Sequence, residues 1–496
     1  MENKFFITTP LYYVNADPHI GHSYTNIAAD TLSRFYRSRK REVYFLTGSD
    51  EHGQKIAKSA AAENLEPLDF CNKMVVRFKS VWEKLNVRFD DFIRTTEPRH
   101  ENTVKWVLSF LYKNGDIYLD QYSGWYCLPC ESFWTKDQLI DDKCPDCKRE
   151  VEYISEKNYF FRLSKYQDWL IEYIKANTDF IMPQSRRNEV LSFLEKNRLQ
   201  DLCITRPKER LKWGITTPFS EDYVTYVWFD ALINYISAVG FSYDEKKFKR
   251  WWPADVHLIG KDILRQHAIY WPIMLRALKI DMPKVIFAHG WWLSSAKVDG
   301  QKISKSKGNI INPLDIIQRY GVDVYRYFLL REVPFGLDGV FDESALRKRY
   351  NSDLANDLGN LVHRTFTMIE KYFSGNIPIV SDISKISDNP LMKQTAELFS
   401  KLDVAMQRLD FSSALSEIWL VINKANKYIE DTKPWLLLKE GKSEQLKEFI
   451  LVLIEVIKKV SEEISCFMPQ TAERILACIH SDKIESKGPL FPRLVL

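Results

Sequence analysis

An α/β fold with a parallel sheet, an irregular inserted module and a separate all-helical tail is what this sequence predicts, and three observations predict it. The first fifty residues read as strand, loop, helix, strand, the grammar of a βαβ unit. Residues 116 to 225 break that alternation with clustered cysteines, several Pro and Gly, and many Trp and Tyr. Beyond residue 350 apolar residues recur at helical spacing almost without interruption.

In chain order, Lys4 to Thr9 is a short β-prone run ending at Pro10, and a turn-rich stretch (Asn15-Ala16-Asp17-Pro18) follows. From Ser23 the positions Ile27, Ala28, Leu32, Phe35 and Tyr36 mark a helix face, and Val43 to Thr47 is again strand-like. Strand-like runs resume at Tyr223 to Trp228, Val256 to Ile259 and Val285 to Ala288, as if one sheet continued after the insertion. In the tail, Phe449, Val452, Leu453, Val456, Ile457, Val460 and Ile464 trace an apolar helical stripe, and Ser374 to Pro390 is the one long break. The expected units are 1–115 and 223–295 for the two halves of the sheet domain, 116–222 for the insertion, 296–350 for a connecting region, and 351–496 for the helical domain.

At 496 residues the chain is too long for one ordinary core. With 45% hydrophobic and 27% charged residues it has the balance of a soluble globular protein, not of a disordered one. A net charge of +4 supplies no global field for polyanions, so any nucleic-acid surface must be a local patch. The longest apolar run, Phe449 to Ile454, is far short of the roughly 20 residues a membrane helix needs. The N-terminus lacks a basic segment followed by an apolar stretch, so a cytoplasmic location is expected.

Of eight cysteines, Cys71, Cys203, Cys466 and Cys478 are scattered and read as small buried apolar residues. Cys127-x-x-Cys130 and Cys144-x-x-Cys147 instead pair into two tight turns that offer four thiolates. That spacing suits one tetrahedral zinc with no open position for water, hence a structural metal.

Two features point to phosphate chemistry. Pro18-His19-Ile20-Gly21-His22 stands at an expected helix start, where free N–H groups and the helix dipole favour an anion. Far downstream, Gly300-Gln301-Lys302-Ile303-Ser304-Lys305-Ser306-Lys307-Gly308 forms a cationic loop between glycines, able to close over a polyphosphate. Either alone is an ordinary surface turn. Their order along the chain, the first after strand one and the second after the last strand, resembles the class I aminoacyl-tRNA synthetases, whose signatures read HIGH and KMSKS. Here Ile303 replaces the methionine.

Four further stretches narrow the resemblance to the methionyl-tRNA synthetases over essentially the whole chain: Thr8 to Asn15, Phe45 to Gly53, Tyr226 to Ala231, and His257 to Asp262. The resemblance implies a Rossmann-like catalytic domain, a stem-contact region within 296–350 and an anticodon-binding helical bundle. It implies that His19, His22, Lys302 and Lys305 stabilise the α-phosphate and the departing pyrophosphate, with Gly21, Gly260 and Asp262 holding ATP and Mg2+ accompanying it. It implies that Asp50, helped by the Leu11 backbone, takes the ammonium of L-methionine. Leu11, Tyr13, Trp228, Ala231, Tyr235 and His267 would shape the side-chain pocket, and Arg206 would approach the carboxylate. Gln266 departs from the family, which often has phenylalanine there. Asn360 and Arg364 would read base edges of the CAU anticodon while Trp435 stacks, so tRNA(Met), the initiator included, is the expected partner. The chain stops at Leu496, after the helical domain, where some family members carry a dimerising barrel; a monomer is therefore expected.

Overall fold

The computed structural model describes residues 3–127, 132–134, 136–145, 147–294, 311–485 and 488–494. Lys302, Lys305 and Cys130 lie outside the described residues. The chain divides into two compact units, each taken by itself below: Met1–Pro18, Lys40–Glu83 and Arg88–His289 form the first, and His19–Arg39, Lys84–Val87 and Gly290–Leu496 the second.

In the first unit the strands run β1 (Lys4–Tyr13), β2 (Glu42–Asp50), β3 (Asp91–Arg94), β4 (Ile117–Cys127), β5 (Ser132–Trp134), β6 (Glu152–Phe161), β7 (Ile181–Met182), β8 (Leu202–Cys203), β9 (Thr205–Pro207), β10 (Tyr223–Thr225), β11 (Val256–Gly260) and β12 (Val285–His289). A six-stranded parallel sheet has the order β3-β2-β1-β11-β12-β7. Phe6, Ile7, Phe45, Leu46, Leu258 and Ile259 are fully buried in it, because helices cover both faces of a parallel sheet and leave no polar side. A second sheet, β5-β4-β6-β8, is antiparallel and carries the cysteine cluster.

Three details depart from the sequence reading. β1 does not stop at Pro10 but runs on to Tyr13, its register with β2 shifting between Thr8 and Leu11. Proline cannot donate to the ladder, so a central strand tolerates it only at such an irregularity. The β-prone run Tyr223 to Trp228 yields only a short strand, β10, paired with β9 outside the main sheet, after which Val227–Leu232 turns helical. Finally β7, from within the stretch read as an insertion, supplies the main sheet's edge strand beside β12.

The second unit is mostly helical. Its long helices are Ile20–Ser38, Asn360–Phe373, Pro390–Gln407, Phe411–Thr432 and Ser443–Ile464, the last burying the apolar stripe expected from its periodicity. Helix Ile20–Ser38 belongs here, not with the sheet that precedes it. Arg326 is fully buried on Val322–Arg331 and donates to Asp30 Oδ2 (2.7 Å), Phe467 O (2.9 Å) and Cys466 O (3.1 Å). Asp30 also accepts from Arg34 Nε at 2.7 Å, and Ser23 Oγ meets Tyr325 Oη at 2.7 Å. Removing one partner of so buried a pair costs about 3–5 kcal/mol, which makes this network the anchor of the helix. Among the described residues no helix is long and apolar enough to cross a membrane.

Candidate functional site: a histidine-capped helix, an amino-acid pocket and a thiolate cluster

The helix Ile20–Ser38 opens with a capping box built from two histidines. His19 Nδ1 accepts from the Gly21 N–H at 3.1 Å, and His22 Nδ1 accepts from the His19 N–H at 3.3 Å. Backbone N–H groups can only donate, so each ring keeps its proton on Nε2. The rings stack with centroids 3.9 Å apart and 22° between planes. A Cβ on Gly21 would stand 3.0 Å from His19 Cε1, so any side chain there would crowd the capping ring. With no acidic residue in its first turn, this helix start combines the dipole with two imidazole donors of fixed tautomer.

In the first unit, the C-terminal ends of β1 and β2 set the residues expected to receive an amino acid. Tyr13 lies opposite Asp50 in the parallel register, and Asp50 is only 4% exposed. Gly48 lies opposite Leu11, and any side chain on it would meet the Ile93 carbonyl oxygen at 2.0 Å and Leu11 Cδ2 at 2.7 Å. Leu11, Tyr13 and Trp228 pack against the core that contains Tyr235, and Ala231 is buried on the Trp228 helix.

Tyr235 Oη meets His267 Nε2 at 2.7 Å, and His267 Nδ1 faces the Ile263 carbonyl at 2.9 Å. A carbonyl only accepts, so Nδ1 carries the proton and Nε2 receives the Tyr235 hydroxyl. Burial presses the His267 pKa down to about 4 against the upward pull of the Ile263 carbonyl and Asp262, so the ring is neutral near pH 7. The Tyr235 hydroxyl, buried beside it, is pushed well above the usual tyrosine range. A neutral imidazole and a neutral phenol make a wall with no net charge, which suits a polarisable thioether better than a cation would. The His257 ring lies tilted by 31° against Tyr235, centroids 4.2 Å apart, and is fixed between Thr8 Oγ1 (2.7 Å) and Trp271 Nε1 (3.2 Å).

Arg206 is buried in an aromatic cage, its guanidinium 4.7 Å from the Tyr226 ring and 5.2 Å from Tyr126, donating to Thr205 O at 2.7 Å. That cage borders a small cavity with Gly53, Gln54 and Val227. Gly260 ends β11, and Asp262 follows in a short helical turn with Oδ1 2.6 Å from where a Gly260 Cβ would stand.

Cys127, at the end of β4, lies with Cys144 and Cys147 so that their sulfurs are all within 4.8 Å. The knuckle is closed by Cys144 N–H to Arg149 O (2.9 Å) and Lys148 N–H to Cys144 O (2.8 Å). Cys127 Sγ and Cys147 Sγ are 3.5 Å apart, far beyond the roughly 2.05 Å of a disulfide. Two thiolates on one tetrahedral zinc stand about 3.8 Å apart, from Zn–S bonds of about 2.3 Å. The donor set fits zinc. Of the scattered cysteines, Cys71, Cys203 and Cys466 are buried as expected and Cys478 is partly exposed.

In the helical unit Asn360 and Arg364 stand one turn apart on Asn360–Phe373, and Trp435, in the first turn of Pro434–Lys439, is 43% exposed. Glu51, His52 and Asp230 fall within the segments that carry the family resemblance but have no role assigned from the sequence, and His100 falls in none of them. Glu51 accepts from Arg94 Nε (2.7 Å), Arg94 Nη2 (2.9 Å), Ser49 Oγ (2.5 Å) and Thr96 Oγ1 (2.6 Å), bracing the end of β2. The adjacent acid and imidazole in Asp50-Glu51-His52-Gly53 were a visible signal; a lone His100 on a helix was not.

A parallel sheet with an inserted thiolate knuckle, a helix start capped by two histidines and a helical tail fits the class I tRNA synthetases. Residues 5–156 and 150–366 match the family described as tRNA synthetases class I (M), and residues 388–492 match the anticodon-binding domain of tRNA ligase. Methionine–tRNA ligase of Caldanaerobacter subterraneus subsp. tengcongensis is 50% identical over 477 residues, covering 96% of this chain and 74% of that protein. The Thermotoga maritima methionine–tRNA ligase is 46% identical, covering 98% of this chain and 77% of its own. Among solved structures, Mycobacterium tuberculosis methionyl-tRNA synthetase in complex with methionyl-adenylate superposes with a TM-score of 0.92 at 39% identity, over 99% of this chain and 100% of that one. The chain belongs to the methionyl-tRNA synthetase family.

Proposed function

We propose that the protein is a methionine–tRNA ligase, activating L-methionine with ATP and transferring methionyl to the 3′-terminal ribose of tRNA(Met). The observation that carries the reading is its full-length likeness to a synthetase holding methionyl-adenylate. In the first step the methionine carboxylate attacks the α-phosphorus and pyrophosphate leaves. His19 and His22 offer their Nε2 protons to the phosphate oxygens that gain charge, and Lys302 and Lys305 neutralise the departing pyrophosphate, with Gly21, Gly260 and Asp262 seating the nucleotide. ATP enters as its magnesium complex. Asp50 holds the ammonium, Leu11, Tyr13, Trp228, Ala231, Tyr235 and His267 enclose the side chain, and Arg206 serves the carboxylate. In the second step the ribose 2′-OH attacks the adenylate carbonyl and AMP leaves. Asn360, Arg364 and Trp435 read the anticodon. The reading includes initiator as well as elongator tRNA(Met), a monomeric enzyme and a cytoplasmic location.

The test is ATP–pyrophosphate exchange measured with each standard amino acid in turn. Methionine alone should support it; a different amino acid exchanging faster would overturn the assignment.

A structural zinc on Cys127, Cys130, Cys144 and Cys147 would hold the knuckle closed and take no part in bond making. Chelation is expected to lower Tm and exchange activity together, with zinc restoring both. A metal-free variant with serine at all four positions and full activity would refute the role.

A further inference from the structure

Three polar side chains that the reaction does not need meet inside the first unit. Asp230 Oδ2 faces His52 Nδ1 at 2.6 Å, and its Oδ1 faces His100 Nε2 at 2.6 Å. Asp230 and His100 are fully buried and His52 is 3% exposed. The second nitrogen of His100 meets Ser237 Oγ at 2.9 Å. The cluster joins four segments: the loop after β2, helix Pro98–Lys113, helix Val227–Leu232 and helix Asn234–Ser237.

Burial alone would raise the Asp230 carboxyl, but the charges and hydrogen bonds of His52 and His100 outweigh it and hold the group below the usual carboxylate range. It is therefore ionised, and both ring nitrogens facing it must donate. Burial likewise presses His52 down, yet the charge and hydrogen bond of Asp230 more than offset this and raise it. A carboxylate between two imidazoles is a poor way to gain stability, since apolar residues of similar volume fill such a space at no loss and often with a gain. What the cluster does offer is a fixed geometry. Charge-assisted hydrogen bonds at these lengths tolerate little sliding.

The placement says what is being fixed. His52 lies two residues beyond Asp50, and the intervening Glu51 is braced by Arg94 while its carbonyl accepts from Trp213 Nε1 at 2.5 Å. Asp230 sits between Trp228 and Ala231 on one short helix. We propose that the His52–Asp230–His100 clamp is a positioning device for the amino-acid substrate, locking the strand end that carries Asp50 to the helix that carries Trp228 and Ala231. It rests on the methionine-pocket reading above and adds to it the element that sets the distance between ammonium holder and side-chain wall. Asp230, His52 and His100 are positioning residues, not catalytic ones.

The test uses the intact enzyme in methionine-dependent exchange. Asp230→Asn and His52→Ala should each raise the KM for methionine by about tenfold or more, the scale on which small displacements of positioning groups act, and leave the KM for ATP nearly unchanged. The double variant should be little worse than either single one, because both break the same link. His52→Asn, whose amide N–H can reach the same carboxylate oxygen, should recover most of the affinity lost in His52→Ala. In the wild type, two imidazole protons should resonate far downfield and both should move in Asp230→Asn. A lowered Tm with an unchanged KM for methionine in the folded fraction would overturn the proposal, as would additive losses or no recovery by His52→Asn. If Asp230→Asn does not fold, the His52 pair decides. Asp50→Asn keeps the two readings apart: an unchanged methionine KM there sinks the pocket itself, whereas a raised KM there and normal values in the clamp variants sink only the clamp.

Discussion

His22→Ala is expected to slow methionine-dependent ATP–pyrophosphate exchange by about 10²–10³-fold, the usual cost of removing one preorganised donor from a developing anion. The substitution removes two things at once. It takes away the Nε2–H donor and also the Nδ1 acceptor that caps the His19 N–H. Losing the cap alone costs about 1 kcal/mol. His22→Asn separates them, because its amide oxygen can accept from the same N–H while offering nothing in the place of Nε2. Exchange should therefore fall alike in both variants, and Tm should fall only in the alanine one. Near-native exchange in His22→Asn would show that the ring is there to cap the helix and not to meet phosphate.

The second large effect belongs to the tRNA. Trp435→Ala should lower kcat/KM for aminoacylation of tRNA(Met) by about 10–100-fold, since one base stacked on an aromatic ring is worth about 1–3 kcal/mol. Exchange without tRNA should stay within about twofold, as only binding of the nucleic acid is touched. The side chain is 43% exposed in the first turn of Pro434–Lys439, so little packing is lost and Tm should hardly move. Parallel loss in both assays would mean that Trp435 supports the fold instead of an anticodon base.

Much of this was legible in the sequence because the signals were local or periodic. A helix start with two histidines around a glycine, a paired cysteine knuckle and the 449–464 apolar stripe each occupy a few turns of chain. The β-prone run from Lys4 to Thr9 likewise announced a strand, in which the structure buries Phe5, Phe6 and Ile7 on both faces of the sheet. What stayed hidden was set by distant partners. The two residues of β7 carry no strand signal of their own and pair with β12 from over a hundred positions away. Tyr226-Val227-Trp228 looks β-prone, yet the run after Thr225 coils into the helix that presents Asp230 to two histidines. The tautomers of His19, His22 and His267 follow only from which backbone groups they meet. Lys302 and Lys305, prominent in the sequence, fall outside the described residues.

The membership of helix Ile20–Ser38 in the second unit bears on modularity. Its support there comes from Tyr325, Arg326, Trp292 and Phe335, all from the far half of the chain. Recombination between relatives at residue 290 would thus separate the histidine pair from the native residues that pack against its helix, although both halves would still be encoded. A chimera that respects the linear domain map would be a mismatch in three dimensions, and the segment from 19 to 39 would have to travel with the C-terminal half for the exchange to succeed.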